Sequence, residues 1–197
     1  MMNFAIAGCG HIAYKHVGAI EKTEGARLVA ICDPNPDRLK ELRAVTSSTA
    51  YPDLGTMLAR QPEIDAVCIC TPSGLHAPLA LEALREGKHL VLEKPVTLSL
   101  TEAEQLREAV RVSGVKATVV HPNRYRPAMQ ALRAALAEHR FGKLSHVNMT
   151  LRWNRSQAYY DQAAWRGTKA MDGGVLLNQA ISQRRTCRRC DAKAVRL

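Results

Sequence analysis

Apolar residues fall along the chain in two kinds of segment, short solid runs and longer spaced stripes. Phe4-Ala5-Ile6-Ala7, Leu28-Val29-Ala30-Ile31-Cys32, Ile64 to Cys70, His89-Leu90-Val91-Leu92 and Val115 to Val120 are the solid runs. Bounded by turn residues, they predict strands buried on both faces. Between them, residues 12–23, 36–45, 54–59, 77–86 and 101–112 predict helices. In the first of these Ile12, His16, Ala19 and Ile20 lie near helical spacing and Gly25 can end the helix. Thr101-Glu102-Ala103-Glu104 fits a capping box and starts the last. Strands alternating with helices predict an α/β fold with a doubly wound parallel sheet.

The first strand runs into Gly8-Cys9-Gly10-His11-Ile12-Ala13, which fits G-x-G-x-x-G/A. Gly8 allows the tight turn, Gly10 lets the backbone approach a pyrophosphate, and the small Ala13 lets the helix pack closely on the strand. The helix start offers N–H groups and a positive dipole end to phosphates. The second strand ends at Asp33, 23 residues beyond Gly10, close to the spacing of about 20 at which a carboxylate receives an adenosine ribose. Asp33 either plays that part, which favours NAD over NADP, or opens an Asp-Pro turn with Pro34; Arg38 softens the preference if it reaches the same pocket. Ligands gather at the carboxyl ends of parallel strands, so Thr71, Pro72 and His76 are expected beside the nicotinamide half. The run at 89–92 delivers Glu93-Lys94-Pro95 to the same edge. There Lys94 is either a group that hydrogen-bonds a substrate hydroxyl and shuttles its proton, or a surface lysine before a turn.

Composition narrows the class. A chain of 197 residues, 46% apolar and 23% charged, is ordinary globular material with room for one full domain and part of another. No apolar run approaches the ~20 residues of a membrane span, and the N-terminus lacks the regions of a signal peptide; a soluble, cytoplasmic protein is expected. Six cysteines lie at 9, 32, 68, 70, 187 and 190. Four sit in or beside apolar runs, where a reduced thiol behaves as a small hydrophobe. Cys187 and Cys190 have zinc-like spacing without a second pair, so no metal site is expected. The net charge of +10 is uneven: residues 184–197 hold six Lys or Arg against one Asp. A solvated tail accounts for that excess better than a nucleic-acid surface, for no helix-turn-helix or aromatic motif accompanies it.

The glycine turn, the Thr71-Pro72…His76 run and above all Glu93-Lys94-Pro95 resemble the Gfo/Idh/MocA family of nicotinamide-dependent sugar and inositol oxidoreductases. His121-Pro122-Asn123-Arg124-Tyr125-Arg126-Pro127 is similar to the family's crossing into its second domain, and Leu144 to Trp153, after Gly142-Lys143, to the first long strand there. Trp165-Arg166-Gly167-Thr168, Asp172-Gly173-Gly174 and Asn178-Gln179-Ala180-Ile181 resemble the subgroup oxidising UDP-N-acetylaminosugar uronates. The resemblance implies a Rossmann domain over 1–122, a partial α+β substrate domain over 123–183 and a basic, disordered or non-native tail over 184–197. It also implies a hydride moving between NAD and a sugar, nucleotide-sugar or polyol hydroxyl. Lys94 is then catalytic, with Pro95 after a cis peptide. Gly8, Gly10, His11, Ile12, Asp33, Thr71, Pro72, His76, Glu93, Lys94, Trp165 and Arg166 are then cofactor residues, and Lys94, Arg124, Tyr125, Asn178 and Gln179 substrate residues. Full-length relatives are expected to be homo-oligomers paired through the second-domain sheet.

The pattern breaks near the end. Where the family has a histidine four residues after Asn178, this chain has Ser182, which cannot act as a proton-accepting imidazole. From Gln183 onward neither helical nor strand periodicity continues, and the family's second domain needs more than the roughly 75 residues that follow position 122. A truncated or frameshifted reading frame is the expectation, and an NAD-binding chain without turnover is the alternative function.

Overall fold

Odd and even positions along each inner strand enter two different cores. Strand β1 (Met2–Ala7) sends Ala5 and Ala7 to one side and Ile6 to the other; β4 (Ala66–Ile69) sends Val67 and Ile69 one way and Cys68 the other. Helices must therefore cover both faces, which is why the strands read as solid apolar runs rather than alternations. On one face, Leu54, Met57 and Leu58 of α3 (Leu54–Arg60), Ala80, Ala83 and Leu84 of α4 (His76–Arg85) and Leu106 of α5 (Leu100–Ser113) close the core. On the other, Ala13, Val17 and Ile20 of α1 (Ala13–Glu21) and Leu42 of α2 (Pro36–Arg43) do so. Each fully buried aliphatic side chain such as Ile6, Ile31 or Ile69 contributes about 1.5–3 kcal/mol.

The computed structural model describes residues 1–146, 148, 150 and 152–181. The chain divides into two compact units, Met1–Val120 and His121–Leu197. The first holds one six-stranded sheet, with β2 (Ala26–Cys32), β3 (Thr49–Tyr51), β5 (His89–Leu92) and β6 (Ala117–Val119) joining β1 and β4 in the order β3-β2-β1-β4-β5-β6, every pair parallel. The chain runs outward from β1 to β3, then returns to β4 on the far side of β1. The crevice outside the carboxyl ends of β1 and β4 is the switch point where such sheets bind ligands.

Three local expectations are corrected. The apolar pattern marks no strand at 49–51, because β3 is a three-residue edge strand, Thr-Ala-Tyr, half exposed and defined by its pairing with Ala30, Ile31 and Cys32. The N-cap of α5 is Ser99 rather than Thr101: the Ser99 hydroxyl accepts the Glu102 amide at 3.2 Å, and Ser99-x-x-Glu102 is itself a capping-box sequence one half-turn earlier. In α1 the buried stripe is Ala13, Val17 and Ile20, with Ala19 exposed.

In the second unit a 3-10 turn (Pro122–Tyr125) leads into α6 (Pro127–Ala137), which begins on its proline as P-start helices do, followed by α7 (Gln157–Asp161) and α8 (Gly174–Asn178). Of the stretch Leu144 to Trp153, expected as a long strand, residues 147, 149 and 151 lie outside the described residues, and none of the described ones is in a strand. A strand needs a neighbour to take its amides and carbonyls, and among the described residues of this unit there is no other strand to pair with.

Candidate functional site

The turn after β1 is built from a steric conflict that only glycine resolves. Gly8 has φ +95°, and a Cβ there would stand 2.8 Å from the carbonyl carbon of Cys70 and from the Thr71 amide nitrogen. The close approach joins the turn after β1 to the end of β4, and the Gly8 amide donates to Cys32 O at 2.8 Å, joining it also to β2. Gly10 is the opposite case: no atom lies within 4 Å of where its Cβ would be. The space above Gly10 is therefore open to a ligand that must touch backbone. Ala13, fully buried, lets α1 sit against the sheet directly behind. His11 is exposed and Ile12 half-buried on the same turn.

Asp33, buried at the end of β2, accepts the Cys9 amide on Oδ2 and the Asn35 amide on Oδ1, both at 2.8 Å. It thus does make the Asp-Pro turn, through an Asx bond two residues on, and it also ties β2 to the glycine turn. Two protein donors leave part of a carboxylate's capacity for further donors. Arg38 is half-buried on α2, close enough for its charge to be felt at Cys9. Burial first, and Asp33 second, push the Cys9 thiol up to about 12, so it stays a protonated space-filler rather than a nucleophile.

At the end of β4 the Thr71 hydroxyl is buried and has no hydrogen-bond partner among the described residues. An orphaned buried hydroxyl at the carboxyl edge of a parallel sheet is a group waiting for a ligand. Pro72 follows it, half-buried. His76, four residues further, is 1% exposed, and its ring nitrogens face Pro95 O at 2.6 Å and Thr71 O at 3.0 Å. A neutral imidazole donates from one nitrogen only, and the shorter contact assigns that proton to Nδ1. Burial, the largest influence, holds the imidazole below its ordinary 6.5 although both carbonyls and Glu93 pull the other way. The Nδ1–H bond to Pro95 O ties the loop after β5 to the start of α4, while the unprotonated Nε2 faces Thr71 O without donating to it.

At the end of β5 the Glu93 carboxylate is buried; Oε1 meets His16 Nε2 at 2.9 Å and Oε2 accepts the Lys94 amide at 3.2 Å. Glu93 thereby bolts the lysine loop to α1, the helix that follows the glycine turn. Lys94 is half-buried, and the Lys94–Pro95 peptide is cis. Gly8, Gly10, Asp33, Thr71, Glu93 and Lys94 thus share one edge of one sheet, on adjacent strands β2, β1, β4 and β5. The open space at Gly10 and the orphaned Thr71 hydroxyl fit a dinucleotide lying along that edge.

In the second unit, Trp165 and Arg166 come together with Gln179 around Tyr159. Arg166 Cζ lies 4.3 Å from the Tyr159 ring centroid and 5.0 Å from that of Trp165. Gln179 Nε2 donates to the Tyr159 hydroxyl at 3.2 Å. Asn178 is buried and donates from Nδ2 to Asp172, which also accepts the Gly167 amide at 2.9 Å. Arg124 and Tyr125 lie on the 3-10 turn, Arg124 half-buried and Tyr125 exposed. Ser182, Cys187, Cys190 and the basic tail lie outside the described residues.

Sequence reading missed His16, Arg155 and Tyr159. His16 was legible only as a helical position, since its partner lies 77 residues away. Arg155 lies outside every motif quoted above, and no local signal picks it out.

A parallel sheet of this order, with a glycine turn after β1 and an acidic residue after β2, defines a dinucleotide-binding Rossmann domain. The chain belongs to the Gfo/Idh/MocA oxidoreductases: the model for that family's NAD-binding Rossmann fold matches residues 2–121, and the model for the GFO/IDH/MocA C-terminal domain matches residues 129–185. Among solved structures it is similar to the WlbA dehydrogenase of Chromobacterium violaceum, with 38% identity and a TM-score of 0.89 over 92% of this chain and 53% of that one. The Bordetella pertussis WlbA dehydrogenase gives the same identity and TM-score over 92% of this chain and 55% of that one. Both were crystallised with NADH and UDP-GlcNAcA. Oxidoreductase P35 of Formosa agariphila is 31% identical over 88% of this chain and 55% of its own length. The chain spans about half the length of the curated relatives it matches. Among the described residues no helix is long and apolar enough to cross a membrane.

Proposed function

We propose that this chain carries the site of an NAD-dependent dehydrogenase acting on a hydroxyl of a nucleotide sugar, of the UDP-N-acetylaminosugar uronate type. The observation that supports it most is the bracing of Lys94 at the carboxyl end of β5, by Glu93 to α1 and by His76 through Pro95 to the start of α4. A surface lysine before a turn needs no such support; a lysine that must meet a reacting hydroxyl does. The amides around Gly10 and the start of α1 hold the pyrophosphate, Asp33 the adenosine ribose, and Thr71 with Pro72 border the nicotinamide. When bound, NAD supplies the acceptor for a hydride at the nicotinamide C4. Lys94 Nζ hydrogen-bonds the substrate hydroxyl and receives its proton as the C–H bond beside it breaks, leaving a carbonyl. In the second unit Asn178, Gln179, Arg124 and Tyr125 orient the sugar.

Absorbance at 340 nm with NAD and UDP-GlcNAcA tests this reading. Lys94→Met is expected to keep NADH affinity and lose at least about 100-fold in rate, the usual share of a general base. A variant rate equal to wild type would reject the role of Lys94. A second reading, NAD binding without turnover, is favoured by Ser182 in place of the imidazole that the family resemblance expects. Saturable NADH binding together with no absorbance change would decide for it.

A further inference from the structure

A relay of hydrogen bonds connects the two halves of the proposed site, the turn at Gly10 and the loop that carries Lys94. It begins in the backbone. The Ala13 amide donates to Gly10 O at 3.0 Å and the His16 amide to Ile12 O at 3.4 Å, so the first turn of α1 is continuous with the glycine turn. Ala13, Val17 and Ile20 seat that helix in the core on one face of the sheet. His16 closes its first turn and reaches a residue 77 positions away: Nε2 stands 2.9 Å from Glu93 Oε1, with 10% and 11% of the two side chains exposed. A carboxylate only accepts, so the proton of this bond lies on His16 Nε2. The other oxygen, Oε2, accepts the Lys94 amide at 3.2 Å. Water, which would compete for the same groups, is largely excluded from the side-chain link. On the far side of Lys94 the loop is held by His76 Nδ1 on Pro95 O at 2.6 Å, a tie to α4 that does not pass through the glycine turn. The tie through His16 does.

We infer that His16 is a positioning residue: through Glu93 it makes the placing of Lys94 depend on the cofactor's pyrophosphate at Gly10. A diphosphate drawn in by the amides of the turn and by the positive end of α1 steadies the turn and the first turn of the helix. His16 belongs to that segment, so what steadies it also steadies Glu93 and, with Glu93, the Lys94 amide. The lysine is then aligned when the hydride acceptor is in place, and a substrate hydroxyl meets both together. Linkage makes the coupling reciprocal, for a steadier lysine loop also favours the bound cofactor. The inference rests on the NAD-dependent dehydrogenase reading and deepens it, from which residues act to how cofactor and lysine are brought into step. A pair that only stabilised the fold would hold the Lys94 amide equally with and without cofactor.

Exchange of the Lys94 amide with solvent deuterium reads this relay without turnover. In the full chain carrying heavy nitrogen in its lysines, the Lys94 signal is assigned by its absence from Lys94→Met. The Lys88 amide, which donates to Ala83 O at 3.0 Å, is the control for unfolding of the first unit. Saturating NADH is expected to slow exchange at Lys94 by at least about fivefold more than at Lys88, the lower end of couplings between linked sites. His16→Ala, and His16→Phe, which fills the ring's space without a donor, are each expected to abolish that extra slowing while NADH still binds. His16→Gln, which keeps a neutral N–H donor of similar reach, is expected to restore it in part. Wild-type extra slowing in either His16→Ala or His16→Phe would overturn the inference, as would NADH binding to the wild-type chain that slows Lys94 no more than Lys88. Absence of NADH binding to the folded wild-type chain would instead overturn the dehydrogenase reading itself, so the NADH titration tells the two failures apart.

Discussion

Two glycines two residues apart are expected to fail in opposite ways when replaced by alanine. At Gly8 the new Cβ would stand 2.8 Å from backbone atoms of Cys70 and Thr71, against an ordinary carbon contact of about 3.5–4.0 Å. The φ of +95° adds about 1–2 kcal/mol for a side-chain-bearing residue, and pushing back a packed neighbour costs about 1–3 kcal/mol more. Gly8→Ala should therefore lose about 2–5 kcal/mol of stability; with a urea slope near 2 kcal/mol per molar, the midpoint should fall by roughly 1–2.5 M. At Gly10 nothing lies within 4 Å and φ is not in the left-handed region. Gly10→Ala should leave the urea midpoint unchanged or raise it slightly, since alanine restricts the unfolded chain by about 0.4–1 kcal/mol. Its methyl group would instead occupy the space kept for the pyrophosphate, so NADH affinity should fall at least about tenfold, or 1.4 kcal/mol. Urea melts followed by circular dichroism, paired with NADH fluorescence titrations, separate the two effects. Wild-type NADH affinity in Gly10→Ala would refute the placing of the phosphates at Gly10. An unshifted urea midpoint in Gly8→Ala would refute the backbone contact between the turns after β1 and β4.

Other perturbations follow from the bracing of the lysine loop. His16→Ala leaves the nearly buried Glu93 carboxylate without its hydrogen-bond partner and is expected to cost about 1.5–3 kcal/mol in chemical denaturation, whereas Glu93→Gln keeps a hydrogen-bonding group of the same shape and should cost about 1 kcal/mol. Burial lowers the His76 imidazole below 6.5 in the folded chain. The unfolded chain therefore binds more protons between that lowered value and about 6.5, and stability should fall as pH drops through this window. His76→Asn should flatten that part of the stability–pH profile, and an unchanged slope would count against a buried neutral imidazole.

The sheet was legible because burial on both faces leaves solid apolar runs, and because Gly8, Gly10 and Asp33 answer steric and electrostatic demands that few residues meet. What was not legible depended on partners distant in sequence. β3 exists only through its pairing with β2; the His16–Glu93 bond joins positions 77 residues apart; and no local pattern says that the His76 proton will be spent on Pro95 O. The Leu144 to Trp153 stretch shows the converse: it resembles the family's first long strand of the second domain, yet none of its described residues is in a strand. Around Tyr159, the resemblance singled out Arg166 and Trp165 by motif, while Arg155, outside any motif, is joined to them by stacking geometry alone.

The claim on which the rest depends is that the carboxyl edge of this sheet holds NAD across Gly10 with Lys94 alongside. Isothermal calorimetry of the purified, folded chain with NADH tests it most directly. Saturable heat at one site per chain, at least about tenfold weaker in affinity in Gly10→Ala and unchanged in Lys94→Met, is the expected result. No heat of binding from a chain whose circular dichroism shows the α/β fold would contradict it.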